Sequence, residues 1–312
     1  MEDFIVNMTG TAELDDSLVT EFSESILIAK ASVGIADQFV SLPKDINGKN
    51  CVFTKYDQLG VDTTPLNERE DVGSEKLADS EIVMTAKEYG KVVTTTSLAN
   101  LQSGGKCDAA AGALIGMNMG RTQNKLGLNA LEASTNVLFA GVAANRAAIA
   151  ATDIMNGTVL NKAYNKMARK EVLGLPQAGG KFVALMHEDC INDIRESSDW
   201  QSVMKYARPE DILNGEVGMY KGFRIVQDNT TTIVEDGGAS GVDVYRTVCI
   251  GFNALGKGES LDCHIRLTEG GDKLARFKNI GWYGVIDYTI IDEDAVYIIE
   301  SASSVGDNTV AA

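Results

Sequence analysis

Apolar residues recur every four positions at Leu14, Leu18, Phe22 and Ile26, which predicts one amphipathic helix inside an otherwise unpatterned leading arm, residues 1–50. The pattern then changes. Cys51-Val52-Phe53-Thr54-Lys55-Tyr56, Ile82-Val83-Met84-Thr85-Ala86 and Val92-Val93-Thr94-Thr95 are Thr- and Val-rich and alternate as strands do. Between the first two lies the charged stretch from Asp62 to Asp71. Residues 51–97 therefore form a long two-stranded excursion with a charged tip. A lone ribbon is marginal in water, so it needs a surface to rest on, and a neighbouring subunit can supply one.

From Lys106 to about Leu138 the chain lacks proline and mixes Ala, Leu and Met with polar residues, a pattern for a helix about 50 Å long at 1.5 Å per residue. Gly112, Gly116 and Gly120 line one face of it, each costing roughly 1 kcal/mol of helix propensity against alanine, so close approach of another backbone is expected there. Membrane pairing through that stripe is opposed by Asn118, Arg121, Gln123, Asn124 and Lys125 in the same segment. Val159, Leu160, Ala163 and Met167, set against Lys162, Lys166, Arg169 and Lys170, outline a two-faced helix that Gly174-Leu175-Pro176 ends. Lys181 to Met186 reads as a buried strand. Short helices are expected at 188–195 and 199–207, a tight turn into a strand at 218–226, an exposed loop over 230–242, and strands at 244–250, 260–267, 280–291 and 295–300. This is a mixed α+β chain with one dominant helix.

Composition narrows the function classes. At 312 residues the chain builds one large or two intimate domains without a covalent staple. Asp and Glu number 44 against 28 Lys and Arg, and the net charge of −16 opposes non-specific nucleic-acid binding. Only His187 and His264 are available for metal cages or histidine catalysis. Cys51, Cys107, Cys190, Cys249 and Cys263 lack framework spacing, so reduced thiols in a cytosolic compartment are expected. Met1-Glu2-Asp3-Phe4 begins acidic and does not read as a secretory signal, and no apolar run reaches the roughly 18 residues of a membrane span.

The candidate chemistry is thin. Gly251-Phe252-Asn253-Ala254-Leu255-Gly256-Lys257 fills the first seven positions of a P-loop, but Gly258 stands where Ser or Thr must hold magnesium, and an alternating strand follows where a helix is needed. His187-Glu188-Asp189-Cys190, with Cys249, Cys263 and His264, contains zinc-type ligands without paired short spacings, so the cysteines read as core hydrophobes and no metal is expected. His187, after a buried strand, is placed to cap the next turn, and Asp292-Glu293-Asp294 reads as a solvated turn.

Arm, extended loop, one long helix, compact α/β segment and returning strands make an order of elements similar to the major capsid proteins of tailed bacteriophages, the Hong Kong 97 type. Thr64-Pro65-Leu66-Asn67-Glu68, Tyr89-Gly90-Lys91-Val92-Val93, Lys181 to His187, Tyr206 to Tyr220, Asp272-Lys273-Leu274-Ala275-Arg276-Phe277 and Gly281-Trp282-Tyr283-Gly284 resemble the family typified by coliphage N-four. The resemblance covers about residues 50–302. It implies a Hong Kong 97-like α+β fold with an N-terminal arm (1–50), an extended loop (51–97), a peripheral domain with the spine helix (98–158, the helix at 105–138), an axial domain (159–258), and return strands with a C-terminal tail (259–312). It further implies a non-enzymatic subunit without cofactors, assembling with itself into hexamers and pentamers of a virion head. That shell would form in the host cytoplasm and enclose double-stranded DNA without reading its sequence; decoration, scaffolding and portal proteins would be further partners, and no membrane would be involved. Charge alone suggests an intersubunit contact between the loop tip, Glu68, Arg69, Glu70 and Asp71, and the basic strip Lys273, Arg276 and Lys278. Two other readings stay open: an encapsulin-like compartment, marked by cargo enzymes in place of DNA, and an acidic hydrolase using carboxylates or Cys263 and His264.

Overall fold

A computed structural model describes residues 8–9, 35–45, 50–56, 59–61, 63, 65–66, 68–69, 71, 73–197, 200, 216–269, 274 and 276–306. The expected helix through Leu14 to Ile26 lies outside these residues, as does that over 199–207 apart from Trp200. The first half of the chain supplies β1 (Met8–Thr9), a 3-10 turn at Ala36–Phe39, β2 (Val40–Asp45), β3 (Asn50–Tyr56), β4 (Asp79–Thr85), β5 (Lys87–Thr96), α1 (Ser97–Gln102), α2 (Lys106–Glu132) and β6 (Val137–Phe139). The second half supplies α3 (Gly157–Arg169), β7 (Phe182–Met186), α4 (Glu188–Glu196), β8 (Glu216–Tyr220), β9 (Phe223–Gln227), β10 (Ile233–Val234), β11 (Val244–Ile250), β12 (Leu255–Glu269), β13 (Phe277–Ile290) and β14 (Val296–Ser301).

Among the described residues these strands form three sheets. A five-stranded sheet runs β1-β5-β13-β12-β2, with the long β13 antiparallel to both β5 and β12. A seven-stranded sheet runs β6-β14-β11-β7-β9-β8, with β10 added against β11, and β3 pairs only with β4. Strands β7 and β14 are buried along their whole length, which fits the unbroken apolar run of β7 and the Val296 to Ile299 run of β14. Alternation sends Phe182, Ala184 and Met186 of β7 into a core under α3 and α4, while Val183 and Leu185 face a second core against α2.

That second core joins the two large sheets. Ile115, Leu128 and Leu131 of α2 pack with Trp282, Ile286 and Tyr288 of β13, Leu255 of β12, Val248 and Ile250 of β11, and Val296 of β14. At Gly127 an added Cβ would lie 3.0 Å from Ala36, so the helix approaches the incoming arm closely there. Asn124, fully buried beside it, is saturated: its Oδ1 accepts from the amides of Ile35 (2.8 Å) and Ala36 (2.7 Å), and its Nδ2 donates to Asp228 (3.0 Å) and Thr230 (2.6 Å).

The α2 C-terminus is held by charge. Arg246 donates to the Glu132 carbonyl (2.9 Å) and carboxylate (3.4 Å), and its Nε lies 3.2 Å from Glu300 as an ion pair whose N–H is not aimed at the oxygen. Arg146 grips the same Glu300 in bidentate fashion, and the Thr232 amide donates to Glu132 at 3.0 Å. Glu132 and Glu300 are buried, so removing an arginine strands carboxylates away from water.

The structure revises several sequence expectations. Helix α2 stops at Glu132, short of Leu138, and spans about 40 Å at 1.5 Å per residue. Ser134, Thr135 and Asn136 are poor helix formers whose groups bond Glu293 (Ser134 Oγ 2.8 Å, Thr135 N 2.6 Å, Asn136 Nδ2 to the Glu293 carbonyl 2.7 Å), and this turns 137–139 into β6 beside β14. No neighbour within 4 Å covers Gly112, Gly116 or Gly120, so the expected close approach is absent among the described residues. The 230–242 stretch contributes β10 and buries Thr231 and Val242, so it is not a free loop. The seven-stranded sheet draws β6 and β14 from outside residues 159–258. Substituting Arg246 by Met should therefore cost about 3–5 kcal/mol; urea unfolding of the full chain measures it, and a loss under about 1 kcal/mol would show that the network carries no such weight.

Candidate assembly interface

The ribbon β3–β4 pairs in register from Asn50 with Thr85 to Tyr56 with Asp79. One face is anchored. Phe53 and Met84 are buried, with Ile82 and Ala86 packed beside them. The Lys55 ammonium reaches Asp292 at 2.8 Å, and the Thr85 amide donates to Asp287 at 3.3 Å. The other face shows Val52 and Val83 to solvent. Past this base every described residue from Leu59 to Glu81 is exposed, and four of them are large hydrophobics: Leu59, Val61 (93%), Leu66 (74%) and Leu77 (68%). The return limb divides at Ala86, because β5 leaves β3 and pairs with β13; the expected excursion over 51–97 is thus a ribbon over 50–85 and a sheet strand after it.

Glu68, Arg69 and Asp71 are exposed at the tip, and Glu70 lies outside the described residues. Lys273 also lies outside them. Arg276 is exposed, with its guanidinium 5.6 Å from the Phe277 ring centre. Lys278 is exposed but already paired, its ammonium 2.7 Å from Asp108. Asp108 also accepts from Thr95 (2.8 Å) and Asn100 (3.2 Å). Burial pushes the Asp108 carboxyl up, but the hydrogen bonds from Lys278 and Thr95 and the Lys278 charge outweigh it, leaving the group below its ordinary value. The basic strip therefore presents Arg276 and a neutralised Lys278 beside a depression lined by Thr96, Ser97, Asn100, Leu101 and Phe277, where Leu101 (79%) stands exposed, and Leu98 (56%) is exposed on the same short helix. Sequence reasoning missed this apolar rim because it assigned no element to the residues between the excursion and the long helix, where α1 forms.

The residues with catalytic or ligating chemistry are engaged elsewhere. The P-loop-like lysine, Lys257, sits in a strand and pairs with Glu259 and with Asp37 at 3.1 Å. His187 caps α4 by accepting from the Asp189 amide at 3.3 Å. Cys263 is buried against the position where a Gly284 Cβ would stand, while His264 accepts from Arg266 at 2.9 Å and rests edge-on to Tyr283, so the two do not form a pair. Cys190 and Cys249 lie in the α3–α4 core; burial pushes the Cys190 thiol up to about 12 and raises that of Cys249 as well. Among the described residues no group of His, Cys, Asp and Glu is placed to hold a metal, and no helix is long and apolar enough to cross a membrane.

The fold is that of phage head shell proteins, the Hong Kong 97-like class. A chain from the capsid of Ralstonia phage GP4 superposes with a TM-score of 0.71 at 14% identity, over 93% of this chain and 97% of that one. The capsid of cyanophage Pam1 gives a TM-score of 0.72 at 12% identity, over 92% and 97%. The head of Helicobacter pylori bacteriophage KHP40 gives 0.66 at 12% identity, over 97% and 100%. No family model and no curated protein matches the sequence.

Two outcomes follow from the ribbon and its rim. Phe53→Ala should cost about 3 kcal/mol and raise amide exchange across 50–56 and 79–85, with β13 still protected, whereas the half-exposed Lys55–Asp292 pair, removed by Lys55→Ala, should cost under about 1 kcal/mol; equal exchange in both variants would contradict the anchoring described. Because the Asp108 carboxyl is held low, its pairing with Lys278 contributes fully above the ordinary carboxylate value near 3.9 and is lost only as pH falls through the lower folded value. Titration of the Asp108 carboxyl by NMR checks this, and a midpoint above that ordinary value would contradict it.

Proposed function

We propose that the chain is the major capsid protein of a tailed phage: a non-enzymatic structural subunit that assembles with itself into hexamers and pentamers of an icosahedral head around double-stranded DNA. The observation that carries the reading is the ribbon, whose exposed apolar residues have no core of their own, on a chain with the shell-protein fold over almost its whole length. In this reading the ribbon is the extended loop and α2 the spine helix. The five-stranded sheet with α2 is the peripheral domain, and the seven-stranded sheet with α3 and α4 the axial domain. The ribbon lies across a neighbour, where Leu59, Val61, Leu66 and Leu77 gain the burial they lack at home, each roughly 1.5–3 kcal/mol when complete.

The tip residues Glu68, Arg69, Glu70 and Asp71 meet the neighbour's Lys273, Arg276 and Lys278. The exposed Leu98 and Leu101 beside Arg276 give that contact an apolar floor, and Arg276 gives it a charge; Lys278 joins while remaining paired to Asp108. A net charge of −16 suits an inner surface that encloses DNA without adsorbing it. Electron microscopy of the purified chain should show closed shells, held by apolar contacts of the obligate kind. The triple change Glu68→Lys, Glu70→Lys and Asp71→Lys should leave a soluble, folded monomer that forms no particles; normal heads from that variant would refute the tip contact, and a wild-type chain that never closes a shell would refute the function.

A further inference from the structure

Helix α3 stands out in this acidic chain. From Gly157 to Lys170 it contains no Asp or Glu, and Lys162, Lys166, Arg169 and Lys170 all point to solvent from one face. The adjoining face, Val159, Leu160, Ala163 and Met167, is buried. Cations in a last turn complement the helix dipole, which accounts for Arg169 and Lys170. It does not account for Lys162 in the middle of the helix, nor for the lack of acids; the neighbouring α4 carries Glu188, Asp189, Asp193 and Glu196 against one arginine. Among the described residues Lys162 and Arg169 form no ion pair within the chain, although Glu171 follows in the turn that closes the helix. Lys166 lies over the Tyr297 ring at 5.9 Å, and only Lys170 has an ion pair, a solvent-exposed one to Asp294 at 3.3 Å.

The same half of the molecule carries the complementary surface. Residues 233–243, between β10 and β11, include Glu235, Asp236 and Asp243 and no Lys or Arg. Glu235 and Asp236 are exposed, and the Asp236 amide bonds the Asp243 carboxylate at 3.0 Å, which fixes the loop. The far end of this stretch packs on a cluster of Ile149, Val242, Val244 and Ala302, whereas Ile233 at its start rests against the core under α3. Among the described residues no ion pair joins this cationic face to this anionic loop within one copy, which leaves both for a neighbour, and a contact of that kind repeats head to tail around a ring.

We propose that the Lys162, Lys166 and Arg169 face of α3 docks on the Glu235, Asp236 and Asp243 loop of a second copy, setting the register between adjacent subunits. A second copy is favoured over phosphate as the occupant because most of this chain's surface charge is acidic. Like-charged subunits then approach best where one presents only cations, and the rest of the surface repels a polyanion. The inference rests on the shell reading for its ring of identical neighbours.

Zero-length carbodiimide cross-linking of a mixture of isotopically light and heavy full-length chains tests it. Light-to-heavy cross-links joining Lys162 or Lys166 to Glu235, Asp236 or Asp243 are expected, and their yield should collapse between about 0.01 M and about 1 M salt as the screening length drops from roughly 30 Å to 3 Å. Arg169→Glu, which leaves the reactive amines of Lys162 and Lys166 in place, should lower the yield about threefold, with Arg169→Gln intermediate, and adding Asp236→Lys should restore the cross-links to Glu235 and Asp243. Absence of these cross-links at low salt, or indifference to the reversal, overturns the inference. So does a reversal that leaves the cross-links intact but abolishes gel retardation of a DNA duplex, since the face then serves nucleic acid. Shells scored separately by electron microscopy keep the two readings apart: shells without these cross-links sink this contact alone, whereas cross-linked small oligomers that never close sink the shell reading alone.

Discussion

Everything in this subunit depends on one buried stripe of α2. Ile115, Leu128 and Leu131 belong to the core shared by both large sheets, so the helix is the common floor of two layers that pair with each other through no strand among the described residues. Losing one such leucine to alanine typically costs 2–5 kcal/mol, a large share of the net stability of a domain. The consequence is mechanical: neither sheet can shift along the helix without opening that core.

Apolar contact alone leaves a helix free to slide or rotate by small amounts, and polar groups remove that freedom at three points. Asp108 ties the N-terminal end to β5 and β13 through Thr95 and Lys278. Asn124 ties the middle to the incoming arm and to Asp228, with all of its hydrogen-bonding capacity used. Glu132 ties the C-terminal end to β11, and through Arg246 and Glu300 to β14 and Arg146. Buried polar groups are costly when unmatched, so the three ties specify one axial position and one rotation of α2.

The parts of the fold legible in the sequence are those where periodicity and burial agree. β7 and the first four residues of β14 read as strand because burial on both faces left apolar runs, β11 read as strand through its β-branched and aromatic residues despite Arg246, and α3 and α4 read as helices because one face of each is buried and the other wet. Failures came where a long-range partner overrode local pattern. The end of α2 is decided by Glu293, far along the chain. β2 carries Pro43 and shows no alternation, yet it forms the outer strand of the five-stranded sheet, where a proline is tolerated. β5 continued the ribbon by composition but belongs to the five-stranded sheet, because β13 supplies its ladder. At the candidate interface the charged tip was legible. The prior engagement of Lys278 by Asp108 was not, since nothing in the local sequence links residues so far apart.

The remaining tension is between the charge and the proposed crowding of hundreds of identical acidic chains. At physiological ionic strength the screening length is about 8 Å, so repulsion between well-separated carboxylates on neighbouring copies is mostly suppressed. Apolar burial acts at contact, where Leu59, Val61, Leu66 and Leu77 could each gain roughly 1.5–3 kcal/mol. Contact-range burial therefore exceeds the screened repulsion once subunits touch, while the residual field decides the orientation in which they meet. A net acidic chain with a cationic face on α3 suits that division of roles: in the proposed shell the ribbon would supply adhesion, and unlike charge the register that apolar side chains specify poorly.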